Sequence, residues 1–158
     1  MKNLKGICAI VMLVAALCGC ERGQEPKDAR EAFVGYYTFV STGKVDLYRD
    51  SVLFASLPMN KEGEMSIMPG EKSNEIVVIA LKDTAVAYVS GNTFSMDTST
   101  RTDSLYGIVM EMTVNYGKAV LTGNQLDWPM DLVVSATFQG MEYSGGGSME
   151  IVATKKNN

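Results

Sequence analysis

Few residues in this chain could carry chemistry, and their types exclude more than they allow. The 158 residues include no histidine and three cysteines, Cys8, Cys18 and Cys20. Without histidine there is no Ser-His-Asp or Cys-His nucleophile pair, and no imidazole ligand for zinc, iron or copper. Carboxylate, Lys, Tyr and Ser/Thr chemistry remains. Two carboxylates can hydrolyse a glycosidic bond when they face each other across a cleft. Glu62 with Glu64, and Asp46 with Asp50, are neighbours in sequence only. No other catalytic signal joins them, so the chain reads as non-enzymatic. Asp97–Asp103 (DTSTRTD) imitates the start of a calcium loop. It lacks the glycine at the sixth place, has Ile108 where a bidentate Glu belongs, and sets Arg101 among the ligands, so a polar edge strand or loop is expected there instead. No metal and no cofactor are expected.

Binding chemistry has more support. Nine of the eleven methionines follow residue 19, among them Met65, Met68, Met110, Met112, Met141 and Met149. Flexible, polarizable Met can line an adaptable apolar pocket, or can simply fill a core. Asp127–Asp131 (DWPMD) sets Trp128 between two carboxylates, a cluster able to stack on and hydrogen-bond a sugar. Read by strand alternation, Trp128 instead turns inward and Pro129 ends a strand. Asp50-Ser51-Val52, Asp83-Thr84-Ala85 and Asp103-Ser104-Leu105 match an Asp-Ser/Thr-apolar acceptor pattern for O-glycosylation of exported proteins, which marks Ser51, Thr84 and Ser104.

The N-terminus supplies an address. Lys2 and Lys5 precede an apolar stretch, Ile7–Leu17, of 11 residues. That is well short of the ~20 needed to span a bilayer as a helix, and it fits a secretory signal. Leu17-Cys18-Gly19-Cys20 resembles the bacterial lipobox, with a small residue before the cysteine to be acylated. Cleavage before Cys20 leaves a lipidated cysteine on a polar tether, residues 20–32. Each buried CH₂ of an acyl chain contributes ~0.8 kcal/mol, and more than one chain makes anchoring stable. Glu21 stands where Asp would signal inner-membrane retention, which favours the outer membrane. After cleavage 12 basic residues stand against 18 acidic ones, a net charge of −6. With no basic patch, nucleic-acid binding is not expected. Nor would such a body be drawn to an anionic membrane without its anchor.

From Phe33 onward the pattern is short strands and turns. Val89–Phe94 (VSGNTF) and Leu121–Leu126 (LTGNQL) are near-copies, each with Gly-Asn where a two-residue II′ hairpin turns. Pairing Ser90 with Thr93 and Thr122 with Gln125 gives both hairpins one apolar face: Ala87, Val89, Phe94 and Met96 in the first, Ala119, Leu121, Leu126 and Trp128 in the second. Ile108, Met110, Met112, Val114 and Tyr116 fall on one side of their strand, with Glu111, Thr113 and Asn115 on the other. Leu132, Val134, Ala136 and Phe138 alternate with Ser135, Thr137 and Gln139, and Met149, Ile151 and Ala153 with Glu150 and Thr154. With segments 33–40, 50–57, 63–68 and 74–81, about nine or ten strands follow one another, the mark of a sandwich or closed meander. Gly145-Gly146-Gly147 reads as a bulge or sharp bend in the last strand.

Ala32–Tyr37 (AFVGYY) resembles the opening of the calycin barrels, the lipocalins and fatty-acid-binding proteins, where a helical turn leads into Phe-x-Gly-x-Trp. Phe33, Gly35 and Tyr37 take those places, with Tyr for Trp. The chain is also similar to small secreted lipoproteins of gut bacteria that carry a lipocalin-like domain. The shared features are the lipobox, the polar tether, Phe33–Tyr37, Val89–Asn92 and Gly117–Ala119. The resemblance implies an antiparallel meander closing into a lipocalin-like barrel over residues 33–156, with an aromatic plug at its base. The expected protein is thus all-β, with a signal peptide at 1–19. Its leading function is to bind a small apolar or amphipathic ligand among inward residues such as Tyr37, Met110, Met112, Tyr116 and Trp128. The alternative is a filled barrel that meets an envelope protein or glycan with its outer surface. An interior void of several hundred Å³ separates the two.

Overall fold

A computed structural model describes residues 28–81, 83–105 and 107–157. The expected signal segment, Cys20 and most of the expected tether lie outside the described residues. A four-residue 3₁₀ turn, Ala29–Ala32, opens the described chain and is capped by the Asp28 carboxylate, which accepts from Arg30 N at 2.9 Å. Eleven strand segments follow: β1 Gly35–Arg49, β2 Val52–Pro58, β3 Lys61–Pro69, β4 Glu75–Ala80, β5 Asp83–Ser90, β6 Thr93–Ser95, β7 Ser99–Leu105, β8 Ile108–Tyr116, β9 Ala119–Thr122, β10 Gln125–Phe138 and β11 Met141–Lys155.

These segments form eight meandering arms. β2 and β3 lie along β1 in one register, Lys44 opposite Pro58 and Ser41 opposite Lys61, so they form one arm interrupted at Met59-Asn60. β8 and β9 both run along β10 and form another, with a one-residue slip at Lys118. β6 and β7 make a third, interrupted at Met96–Thr98. β11 pairs with both β10 and β1 and closes an eight-stranded antiparallel barrel. The expected barrel is therefore present. The stretch expected as a polar edge strand or loop forms the strand β7, although STRTDSL has no apolar alternation to announce it.

Period-2 patterning explains the inside and the outside. Tyr37, Phe39, Val45 and Leu47 of β1 are buried, as are Met110, Met112 and Val114 of β8, and Leu126 to Ala136 at every second position of β10. Their partners Glu111, Thr113, Ser135 and Thr137 face out. Burying a side chain of this size contributes ~1.5–3 kcal/mol, so a one-residue slip that turned a strand over would be heavily disfavoured. Both Gly-Asn hairpins take the expected pairing, with Gly91 and Gly123 at φ +62° and +60°.

The three adjacent glycines are a correction. β11 runs unbroken through Gly145–Gly147 with no register shift in either ladder, so there is no bulge. The glycines are there because neighbouring backbone comes too close. A Cβ on Gly145 or Gly147 would strike the carbonyl of Asp46 or Lys44, and one on Gly146 would lie 2.5 Å from the Leu132 carbonyl oxygen. The one bulge in the β1–β2 ladder lies between Leu47 and Tyr48.

The two ends of the barrel differ. At one end, Phe33 and Tyr37 are fully buried, and the Tyr37 hydroxyl donates to Phe33 O at 2.6 Å. Arg30 ties the 3₁₀ turn across this end, donating to Gly70 O at 3.2 Å and Lys72 O at 2.7 Å. Lys155 Nζ adds a bond to Ala32 O at 2.9 Å. At the other end the arms are unequal. The β4–β5 hairpin stops short, with Met65 opposite Ala80 as its last rung on β3. β5 meets β6 only from Ser90–Thr93 to Tyr88–Ser95, and β7 then leaves to follow β8. This leaves a notch in the wall, flanked by Pro58–Lys61 on one side and by β7 on the other.

Candidate functional site

Behind the notch lies a cavity of about 410 Å³. Five methionines line it, Met59, Met96, Met112, Met130 and Met149. Phe39, Val78, Val114, Ile151 and Trp128 supply further apolar wall. Lys61, Asp83, Arg101, Asp103 and Ser104, all exposed, line the mouth. The Arg101 guanidinium bonds to the Asp83 carboxylate at 3.1 Å, across the gap between β7 and β5.

The aromatic side chains connect the plugged base to this cavity. Phe33 meets Phe94 edge-on at 5.6 Å, and Phe94 meets Trp128 edge-on at 5.1 Å. Trp128 stacks on Tyr116 at 5.5 Å with the rings inclined by 29°. Such pairs contribute ~0.5–1.5 kcal/mol each beyond their buried area, so this row is a firm floor rather than a mobile lining. The Tyr116 hydroxyl is 2.9 Å from Ser99 Oγ. Ser41, buried at the wall, donates to Met59 O and Lys61 O at 3.2 and 3.3 Å. Trp128 is 4% exposed, and its buried Nε1 has no hydrogen-bond partner.

Of the five inward residues expected at a ligand, Met112, Tyr116 and Trp128 come together in the cavity. Tyr37 and Met110 do not line it. Tyr37 serves the base, where burial pushes its hydroxyl pKa up to about 12. Met110 is wholly buried in the core. Met68 faces outward at 45% exposure, because it falls on the phase of β3 opposite to the buried Met65 and Ile67. The sugar-stacking arrangement around Trp128 is not formed. Alternation turns the ring inward, while Asp131 is exposed and Asp127 accepts from Gln125 Nε2 at 2.7 Å.

Neither local carboxylate pair lines the cavity. Asp46 is held below the usual carboxylate range by hydrogen bonds from Lys44 and Ser56, and Glu64 by one from Lys156. That suits surface ion pairs rather than a proton donor. Residues 99–105 of the supposed calcium loop are extended strand, which sends alternate side chains to opposite faces. Among the described residues no group of three or more His, Cys, Asp or Glu could hold a metal.

Phe39, Met130 and Met149 belong to strands whose alternation was legible, so their inward direction could have been read. Met59, Lys61, Asp83 and Arg101 join the site only because arms end early, and no local signal marks that. Ser51, Thr84 and Ser104 are exposed and stand at or near the turns of the notched end. No family model matches the chain. Among curated proteins, none matches it.

Proposed function

We propose that this chain is a lipid-anchored, non-enzymatic binding protein of the outer membrane that holds one small apolar or amphipathic molecule inside its barrel. The observation that carries the reading is the methionine-lined cavity of about 410 Å³, within the ~300–1,000 Å³ of small-molecule sites. A barrel this narrow is often filled by its own side chains, so interior space beside a break in the wall supports a ligand over a purely structural role. The charged mouth would meet the polar end of an amphipathic guest. Acylated Cys20 would hold the domain at the membrane. The lipocalin-like class rests on Phe33, Gly35 and Tyr37 and on the meander closed by β11.

Native mass spectrometry on residues 21–158, taken both from recombinant material and from the native host, tests this. A reproducible adduct displaced by fatty acids or sterol-like ligands is the expected result. A clean apo mass that accepts no offered apolar ligand overturns it. That outcome would favour the second reading, contact with an envelope protein or glycan, for which the outer surface offers Val52 and Leu53, 68% and 54% exposed at the tip of the β1–β2 hairpin. Glycosylation of Ser51, Thr84 and Ser104 is proposed as well, and an intact mass from the host reads it in the same spectrum.

A further inference from the structure

We propose that the guest of this cavity is a flat aromatic ring system and not an extended acyl chain. This rests on the binding reading above and names the ligand class for the same cavity.

The shape of the void comes first. On three neighbouring strands only two consecutive inward positions line it: Phe39 and Ser41 on β1, Met149 and Ile151 on β11, Trp128 and Met130 on β10. Two inward positions lie about 7 Å apart along a strand. Toward the base the next inward residues on these strands are Tyr37, Ala153 and Leu126, all fully buried and none of them lining the void. Toward the other end Val45, Leu132 and Tyr143 are buried and likewise stand clear of it. The Phe54 ring then lies over the Tyr143 ring at 4.3 Å. The void is thus one layer between two packed layers. It reaches from Val78 and Ala85 on one wall to Val114 and Met130 on the other, and it opens sideways at the notch. An extended chain needs length along the barrel, and that length is closed in both directions. A flat molecule fills such a layer.

The wall of the layer suits an aromatic edge. Met149 stands opposite Met130, and Met130 opposite Tyr116, so β11, β10 and β8 present two thioethers and a phenol ring along one rung. Gly43, opposite Met149, continues that rung to Met59, whose N–H donates to Gly43 O at 2.9 Å. Side chains reaching inward from a barrel wall meet the rim of a flat guest that lies across it. Aromatic rims carry partial positive charge, and thioether sulfur packs favourably against them. A saturated ring offers no such charge and keeps only dispersion contacts, which leucine would supply equally well.

Three alcohols with the same number of carbons separate shape from aromaticity: 2-naphthol is flat and aromatic, decahydro-2-naphthol is a puckered saturated ring pair, and decan-1-ol is a chain. Calorimetry gives the affinity of each for the wild type, divided by its own octanol–water partition coefficient. The expected order is 2-naphthol, then decahydro-2-naphthol, then decan-1-ol. In the double variant Met130→Leu, Met149→Leu, a volume-conserving change, the preference for the aromatic over the saturated ring should fall about threefold. If the chain matches the rings, if the saturated ring matches the aromatic one, or if the aromatic preference survives the substitutions, the inference is overturned and the cavity reading stands. If none of the three binds, both fall. Should the double variant not fold, the order in the wild type decides the matter alone.

Discussion

Arg101 and Asp83 form an ion pair between two strands that share no ladder. The guanidinium of β7 reaches the carboxylate at the start of β5 at 3.1 Å, where the barrel wall is otherwise open. Arg101 is 42% and Asp83 74% exposed, so solvent screens the pair and its contribution to stability is under about 1 kcal/mol. Its position beside the cavity mouth matters more. Arg101→Ala should leave the urea midpoint nearly unchanged and quicken ligand dissociation severalfold in stopped-flow measurements. Unchanged exchange rates would place the route elsewhere.

Filling the cavity should abolish binding at little cost to folding. Val114 lines the void from β8, so a larger ring there can grow into space rather than into packed neighbours. Val114→Phe should lose uptake of an apolar dye while its unfolding free energy stays within about 1.5 kcal/mol of the wild type. By contrast Met110→Ala, in the filled part of the core, should cost ~2–5 kcal/mol.

Glycines in this barrel are required for two separate reasons, and substitution separates them. Gly147→Ala puts a methyl group onto the Lys44 carbonyl in a strand paired on both sides. It should destabilise by about 3 kcal/mol or more, read from urea unfolding. Gly91→Ala meets open space, and only the left-handed φ of +62° opposes it, for ~1–2 kcal/mol.

Tyr37 predicts a specific alkaline sensitivity. Burial raises its pKa from 10.0 to about 12 in the folded protein. Above pH 10 the unfolded chain releases this proton and the folded chain keeps it. Tyr37 therefore favours folding fully below its unfolded pKa, and that advantage is lost as pH rises through 10 toward 12. Tyr37→Phe should show a shallower fall in stability over that window. It should also be ~1 kcal/mol less stable at neutral pH, because the bond to Phe33 O is lost. Urea unfolding of both proteins at pH 8 and pH 11 gives the comparison.

The amino-acid order by itself determined the local rules of this fold. Gly91-Asn92 and Gly123-Asn124 set two hairpin registers because glycine accepts a positive φ at the first turn position. Alternation in Ile108–Tyr116 and Leu132–Phe138 settled which side chains face in, since successive strand residues point to opposite faces. Trp128 could be assigned to the interior on that basis despite its acidic neighbours. The tertiary structure alone decided the rest. β7 is a strand because β8 pairs with it, although its own residues are polar. Met112 lines a cavity and Met110 lies in packed core, although both point inward from one strand. Alternation sets a side chain's direction. Whether it meets a neighbour or open space depends on where distant arms end, and that is settled only when β11 closes the barrel against β1.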